Sequence, residues 1–299
     1  MSSILTNASA LTALQNLAAT QKQLQTTQSQ ISTGLKVASA ADNASYWSIA
    51  TTMKSDNGAL GAIKTALGQS SSMLNVANAA ITSTISVMNQ IKNDLVSATQ
   101  PGADLNKIGT DIAQASQQLS SIVKSAGYNG QNWLDGSNAT VGLSASFNRD
   151  STGATSVSTI GVNTLALIGT ATGTAGTGIL EGGTGSATGT ATNFTTATLS
   201  STTTSAQIAT MSADADKTLA NLQTYASNLG ATQTRIGLQQ TFISNLSDAL
   251  TNGVSTLVDA DMNEASTRLQ ALQTQQQLGV QAISIANQNS QMILKLFGG

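Results

Sequence analysis

Apolar side chains recur at every seventh position from residue 46: Tyr46, Met53, Leu60, Leu67, Leu74, Ile81, Met88 and Leu95. Ile49, Ile63, Ala77 and Ile91 occupy companion positions three residues on, while Asp56, Ser70 and Thr84 keep other companions polar. A run this long exceeds the three or four heptads that argue for a coiled coil. It predicts one helix from about residue 44 to 99, about 84 Å long at 1.5 Å per residue, and hence an elongated molecule. Pro101-Gly102 stops the run, and Pro101 is the only proline in the chain. Asp104 can cap a second helix carrying Leu105, Ile108, Ile112, Ala115, Leu119 and Ile122, which the short link folds back along the first. A second seven-residue register runs through Ile208, Ala215, Leu222, Leu229, Ile236, Ile243, Leu250 and Leu257, and continues through Ala271, Leu278, Ile285 and Met292, broken by Glu264.

Between the two helical runs the pattern changes. "GYNGQNWLDG" (127–136) holds an Asn-Gly pair and a second glycine, which is turn chemistry. "TVGLSASFN" alternates as a strand does, and "STGATSVSTIGV" can turn and return as its partner, predicting a short β-hairpin. Residues 151–213 carry one charge, Glu181, and include the Gly/Thr/Ala-rich "GTATGTAGTGILEGGTGSATGTAT". Neither phosphate-cradling glycine pattern occurs there, so the stretch is expected to be a surface-exposed excursion. The predicted fold is mainly α: an elongated antiparallel helical bundle or coiled coil built from both chain ends, with a small β-hairpin region and a low-complexity centre. Its core candidates are Met53, Leu60, Leu67, Leu74, Ile81, Leu95, Leu222, Leu229, Ile236 and Ile243.

Both ends are amphipathic yet nearly without charge. "ILTNASALTALQNLAAT" (4–20) precedes the first charged residue, Lys22, and no charge lies between Arg268 and Lys295. The first segment lacks the basic start and continuous apolar run of a signal peptide, and no window is apolar enough to span a membrane. Such stripes exposed on a soluble monomer exceed what globular proteins tolerate, so residues 4–35 and 265–297 are expected to bury their stripes between chains. The candidates are Ile4, Leu11, Leu14, Leu17, Leu24, Ile31, Leu269, Leu272, Leu278, Ile283, Ile285, Ile293 and Leu294.

Composition narrows the chemistry. The chain has 299 residues, 9% charged and 3% aromatic, with net charge −2 and mean hydropathy +0.02. No basic footprint for nucleic acid or for an acidic membrane surface exists. Cysteine and histidine are both absent, which removes disulfides, thiolate metal sites, Ser-His-Asp triads and His-Glu-x-x-His zinc sites. Asp259 and Asp261 alone are too few oxygen ligands to argue for a cation. Tyr46-Trp47 is expected to pack at a helix start, and the Asn-x-Ser/Thr triplets at Asn7, Asn43, Asn138, Asn193 and Asn245 are expected by chance in so Ser/Thr/Asn-rich a chain. No enzyme, cofactor or metal is expected.

The motifs at both ends resemble those of bacterial flagellin. Ile4, Thr6, Asn7, Ala10 and Leu14 fit that family's opening helix. "ISTGLKVASAADNASYWSIA" (31–50) fits its best-known block, through Ile31 to Val37, Ala40, Asp42, Asn43, Ile49 and Ala50. "GYNGQNWLDG" fits its turn after the second helix. "LGATQTRIGLQQTFISNL" (229–246) fits the returning helix, and "DADMNEAS" with "QQQLGVQAISIANQNSQMILKLF" fits the carboxyl end. The resemblance implies a filament subunit: residues 1–43 and 258–299 as the inner core domain, 44–150 and 206–257 as a helical rod domain with the hairpin, and 151–205 as a variable outer region. It further implies self-polymerisation for motility, unfolded export through the flagellar type III apparatus without a cleaved signal, and an extracellular location. Implied partners are other copies, an export chaperone, the filament cap and hook-associated proteins, with no nucleic acid and no membrane. Ala44-Ser45-Tyr46 departs from the family's usual Ala-Ala-Gly. Gln90 and Asn93 stand where the block read by animal receptors typically carries Arg and Glu, which argues against receptor recognition. Alternatives are a hook–filament junction protein or a type III tip or translocator component, against which the dense match at both ends counts. A flagellin with an inserted peptidase would need zinc ligands that a histidine-free chain cannot supply in the usual way.

Overall fold

The computed structural model describes residues 7–137, 140–168, 178–181 and 192–297, with side chains through residue 288. Among these the chain runs α1 (Ala8–Thr33), α2 (Ala44–Ala98), α3 (Leu105–Ser125), strands β1 (Gly127–Tyr128), β2 (Gln131–Asn132), β3 (Thr140–Arg149) and β4 (Thr155–Asn163), a 3-10 turn at Ile179–Glu181, α4 (Ser205–Val258) and α5 (Met262–Phe297). Two compact units form, one from Met1–Asn57 with Asp248–Gly299 and the other from Gly58–Ser247. Their boundaries fall inside α2 and α4, rather than at the loops near residues 43 and 258. The reason is packing: Ala50 of α2 and Val254 and Val258 of α4 share a buried cluster with Val37, with Met53, Leu35 and Leu257 against it. Met53 is therefore half-buried in the first unit, outside the rod core expected for it.

In the second unit α2 buries Leu60, Ile63, Leu67, Ser70, Leu74, Ala77, Ile81, Thr84, Met88, Ile91, Leu95 and Ala98, a run of alternating three- and four-residue steps. This is the 3.5-residue repeat of a supercoiled seam. Two hydroxyls fit within it because each donates to its own helix: Ser70 Oγ to the Ala66 carbonyl at 2.9 Å and Thr84 Oγ1 to that of Ala80 at 2.8 Å. On α4, Leu222, Leu229, Ile236 and Ile243 are buried, and on α3 Ile112, Ala115 and Leu119 are. An ion pair between Lys92 and Asp216, and a bond from Gln233 Nε2 to Asn75 Oδ1 at 2.7 Å, tie α2 to α4.

The turns follow their local chemistry. α2 ends at Ala98, Gly102 takes φ +84°, and Asp104 Oδ1 caps α3 by accepting from the Lys107 N–H. Asn129 and Gly130, at φ 49° and 78°, form the two-residue turn joining antiparallel β1 and β2. β3 and β4 pair antiparallel with a bulge at Ser144/Ser146, and Leu143, Ala145, Ile160 and Val162 face inward.

The expectation of a wholly surface-exposed 151–205 is corrected. Residues 169–177 and 182–191 lie outside the described residues, but the flanking pieces pack into the second unit. Leu167, Ile179, Leu180, Phe194, Ala197 and Leu199 are buried there. Their backbones interlock: the N–H of Leu167 donates to Leu134 O, that of Leu180 to Leu167 O, and that of Phe194 to Leu180 O, at 2.6–2.9 Å. Leu199 lies so close on α3 that a Cβ at Gly109 would come within 2.1 Å of its carbonyl oxygen. Asp214, itself buried, accepts from the N–H and hydroxyl of Thr192 at 3.1 and 3.0 Å. Isolated anchors of this kind have no period, so they are lost among the glycines and threonines.

Candidate assembly surface

The two charge-poor ends pair with each other in the first unit, α1 against α5. The less exposed positions of α1 are Ala10, Ala13, Leu17, Thr20, Leu24, Thr27 and Ile31, and those of α5 are Ala265, Leu269, Leu272, Gln276, Gly279, Ile283 and Ala286. Both series step by three and four, so the helices meet along a heptad seam. Leu17 sits against Gly279, where an added Cβ would lie 3.2 Å from Leu17 Cδ1. Asn7 joins the pair at one end: its Oδ1 caps α1 by accepting from the Ala10 N–H, and its Nδ2 donates to the Ala286 carbonyl at 3.0 Å.

At the other end the connecting segments hold each other. α1 stops at Gly34, whose φ of +71° is the left-handed cap that glycine adopts without strain. Leu35 then bridges Asp259 antiparallel; the N–H groups of Lys36 and Val37 donate to Val258 O, and that of Ala260 to Gly34 O. Asp42 Oδ2 staples the next turn, accepting from the N–H groups of Ala38 and Ser39 and the Ser39 hydroxyl at 2.9–3.1 Å. The bonds from Ser39 hold the Asp42 carboxyl below the usual carboxylate range. Asn43 caps α2, accepting from the Tyr46 N–H at 3.1 Å.

Pairing leaves further apolar side chains of both helices uncovered. Leu11 and Leu14 of α1 are each 55% exposed; on α5, Leu278 is 59%, Val280 55% and Ile285 62% exposed. The sequence candidates for burial between chains therefore divide. Leu17, Leu24, Ile31, Leu269, Leu272 and Ile283 lie on the seam between α1 and α5, whereas Leu11, Leu14, Leu278 and Ile285 face outward. Ile4 and the side chains of Ile293 and Leu294 lie outside the described residues. Val280, absent from the candidates, is exposed as well, but two residues from Leu278 it lies on the opposite flank of α5, off the seven-residue register.

The surface is nearly without charge. Lys22 is the one ionisable residue of α1, and on α5 Glu264 pairs with Arg268 at 3.0 Å. Asp261 caps α5 through the N–H groups of Asn263 and Glu264, and Asp259 accepts from the Ser255 hydroxyl, so both carboxylates have structural work. Among the described residues no group of three or more acidic side chains could hold a metal ion, and no helix is long and apolar enough to cross a membrane. What the unit offers chemically is an apolar helical surface for another protein surface to cover.

Residues 4–139 match the model of the bacterial flagellin N-terminal helical region, and residues 213–297 that of the C-terminal helical region. Flagellin C of Rhizobium meliloti is 43% identical over 99% of both chains, and a flagellin of Brucella melitensis is 44% identical over the full length of both. The crystal structure of Bacillus cereus flagellin aligns at 15% identity and a TM-score of 0.41, over 58% of this chain and 86% of that one. With two family regions spanning both helical ends and relatives matched along their whole length, the chain belongs to the bacterial flagellin family.

Proposed function

We propose that Leu11, Leu14, Leu278, Val280 and Ile285, on the exposed flanks of α1 and α5, are the residues through which this subunit joins its neighbours in the filament. As a flagellin the chain is a structural subunit of the extracellular flagellar filament, not an enzyme. The observation that carries the proposal is the set of uncovered aliphatic side chains on two helices that have already paired. Fully burying a Leu, Ile or Val is worth about 1.5–3 kcal/mol. Completing the burial of five side chains that are about half exposed contributes on the order of 4–8 kcal/mol per subunit, in addition to what the α1–α5 seam itself supplies. Seam residues then hold α1 to α5 within a chain, and outward residues hold one chain to the next. A weak intrachain seam also suits unfolded export through the type III apparatus, where a chaperone covers the apolar ends and cap and hook-associated proteins meet them at the two ends of the filament.

Replacing Leu278 and Ile285 together by Asn tests this. The critical concentration for polymerisation should rise at least about tenfold, the equivalent of 1.4 kcal/mol per subunit, with the unfolding of the monomer unchanged. Filaments growing at the original critical concentration would refute the assignment.

A further inference from the structure

The heptad run of α2 starts before the chain begins to cover it. Tyr46 occupies the same register as Met53 and Leu60; Leu60 is buried and Met53 half-buried, but Tyr46 is 43% exposed. Trp47 at 39% and Ile49 at 47% flank it, and Ala50, one turn on, is buried against Val37, Val254 and Val258. Tyr46 and Trp47, expected to pack at the helix start, are thus partly covered and partly open. The Asn43 cap and the backbone bond from Trp47 to Asn43 hold this first turn in place. No charge occurs from residue 43 to 53, between Asp42 and Lys54. The chain has two Trp, three Tyr and four Phe; Trp133 is buried, and Trp47 is not. A capped, charge-free, aromatic end of a helical seam has the character of an interface anchor, since Trp and Tyr dominate binding energy where they are fully desolvated.

We propose that Tyr46, Trp47 and Ile49 dock against an uncharged helical face of a second copy, which continues the α2 seam where this chain leaves it open. The inference rests on the filament reading. A subunit of a helical polymer uses different patches on its two sides, so an open seam end on every copy meets the same foreign face each time. The patch is separate from the exposed flanks of α1 and α5 in sequence and in the helix that carries it.

Acrylamide quenching of tryptophan emission tests the proposal, in a Trp133→Phe chain so that Trp47 alone reports. On polymerisation, checked by negative-stain microscopy, quenching should fall several-fold and the emission should move to shorter wavelength. The native chain provides the same reading should that variant fold poorly, because buried Trp133 is shielded in both states and the accessible fraction is Trp47. Trp47→Gln should in addition raise the critical concentration without lowering the unfolding midpoint of the monomer. Filaments in which Trp47 is quenched as in the monomer, or an unchanged critical concentration for Trp47→Gln, would overturn the docking and leave the filament reading standing. A chain that forms no filaments under any condition would overturn both.

Discussion

The α2 seam in the second unit and the α1–α5 seam in the first share a heptad rhythm but not a filling. On α2, eight of twelve seam positions are Leu, Ile or Met, from Leu60 to Leu95. On α1 and α5 together only six of fourteen are, the rest being Ala, Thr, Gln and Gly. Burial of large aliphatic side chains is the main favourable term in helix pairing, and an isolated helix of ordinary length gains little without it. The contrast assigns the two seams different stabilities. The second unit has the filling to hold itself together, whereas the proposed assembly has the terminal pair draw part of its stability from neighbouring chains.

The largest expected effect is at the rod seam. Leu67→Ala, at a position with no exposure, should cost about 2–5 kcal/mol of monomer stability, in the range of buried leucine truncations. Leu272→Ala on α5 should barely move the main unfolding transition of the monomer while weakening the filament. Equal shifts in the monomer for the two variants would erase the distinction.

A smaller effect of opposite sign should follow from improving the weak seam. Gln276→Leu replaces a polar residue facing α1 by an aliphatic one, and should stabilise the pair by about 1 kcal/mol or a little more. Circular dichroism of the monomer should show helix loss from the ends at higher temperature. No change would mean that side-chain filling does not limit the pairing.

Acidification should separate the units most subtly. The folded pKa of Asp42 lies below its unfolded value, so its contribution is present above about pH 4 and is lost as pH falls through the folded value. Asp94 in the second unit is shifted upward, first by burial and then by the charge of Asp111. Its ionised form is disfavoured in the fold, so its contribution improves as pH falls. Between pH 5 and 2 the amides of Ala38 and Ser39 should thus lose protection earlier than those around Leu95. The reverse order would contradict the roles given to the two carboxylates.

The helices of the rod were legible because large aliphatics at a strict seven-residue spacing leave little alternative. The cap at Asp104 and the Asn129-Gly130 turn were legible from local chemistry alone. The phase of α5 was not. Following every seventh residue leads from Leu257 to Leu278 and Ile285, which face outward, while the intrachain seam runs one residue later through Leu272, Gly279 and Ala286. Small residues at Gly279 and Ala286 bring the helices close, yet they carry no hydrophobic signal. The boundary between the units was hidden for a related reason: it falls within continuous helices, where neither composition nor periodicity changes. The burial of Leu167, Leu180 and Phe194 was concealed by irregular spacing within a stretch that otherwise reads as solvent-facing.

The central claim is that the α1–α5 pair is marginal within one chain and is completed by neighbouring chains. Amide hydrogen exchange, measured on verified monomer and on filament, tests it most directly. Leu17, Leu24, Leu272 and Ile283 should exchange much faster than Leu74 and Ile81 in the monomer, and the two sets should converge on strong protection in the filament. Protection of Leu17 and Leu272 in the monomer equal to that of Leu74 and Ile81 would contradict it.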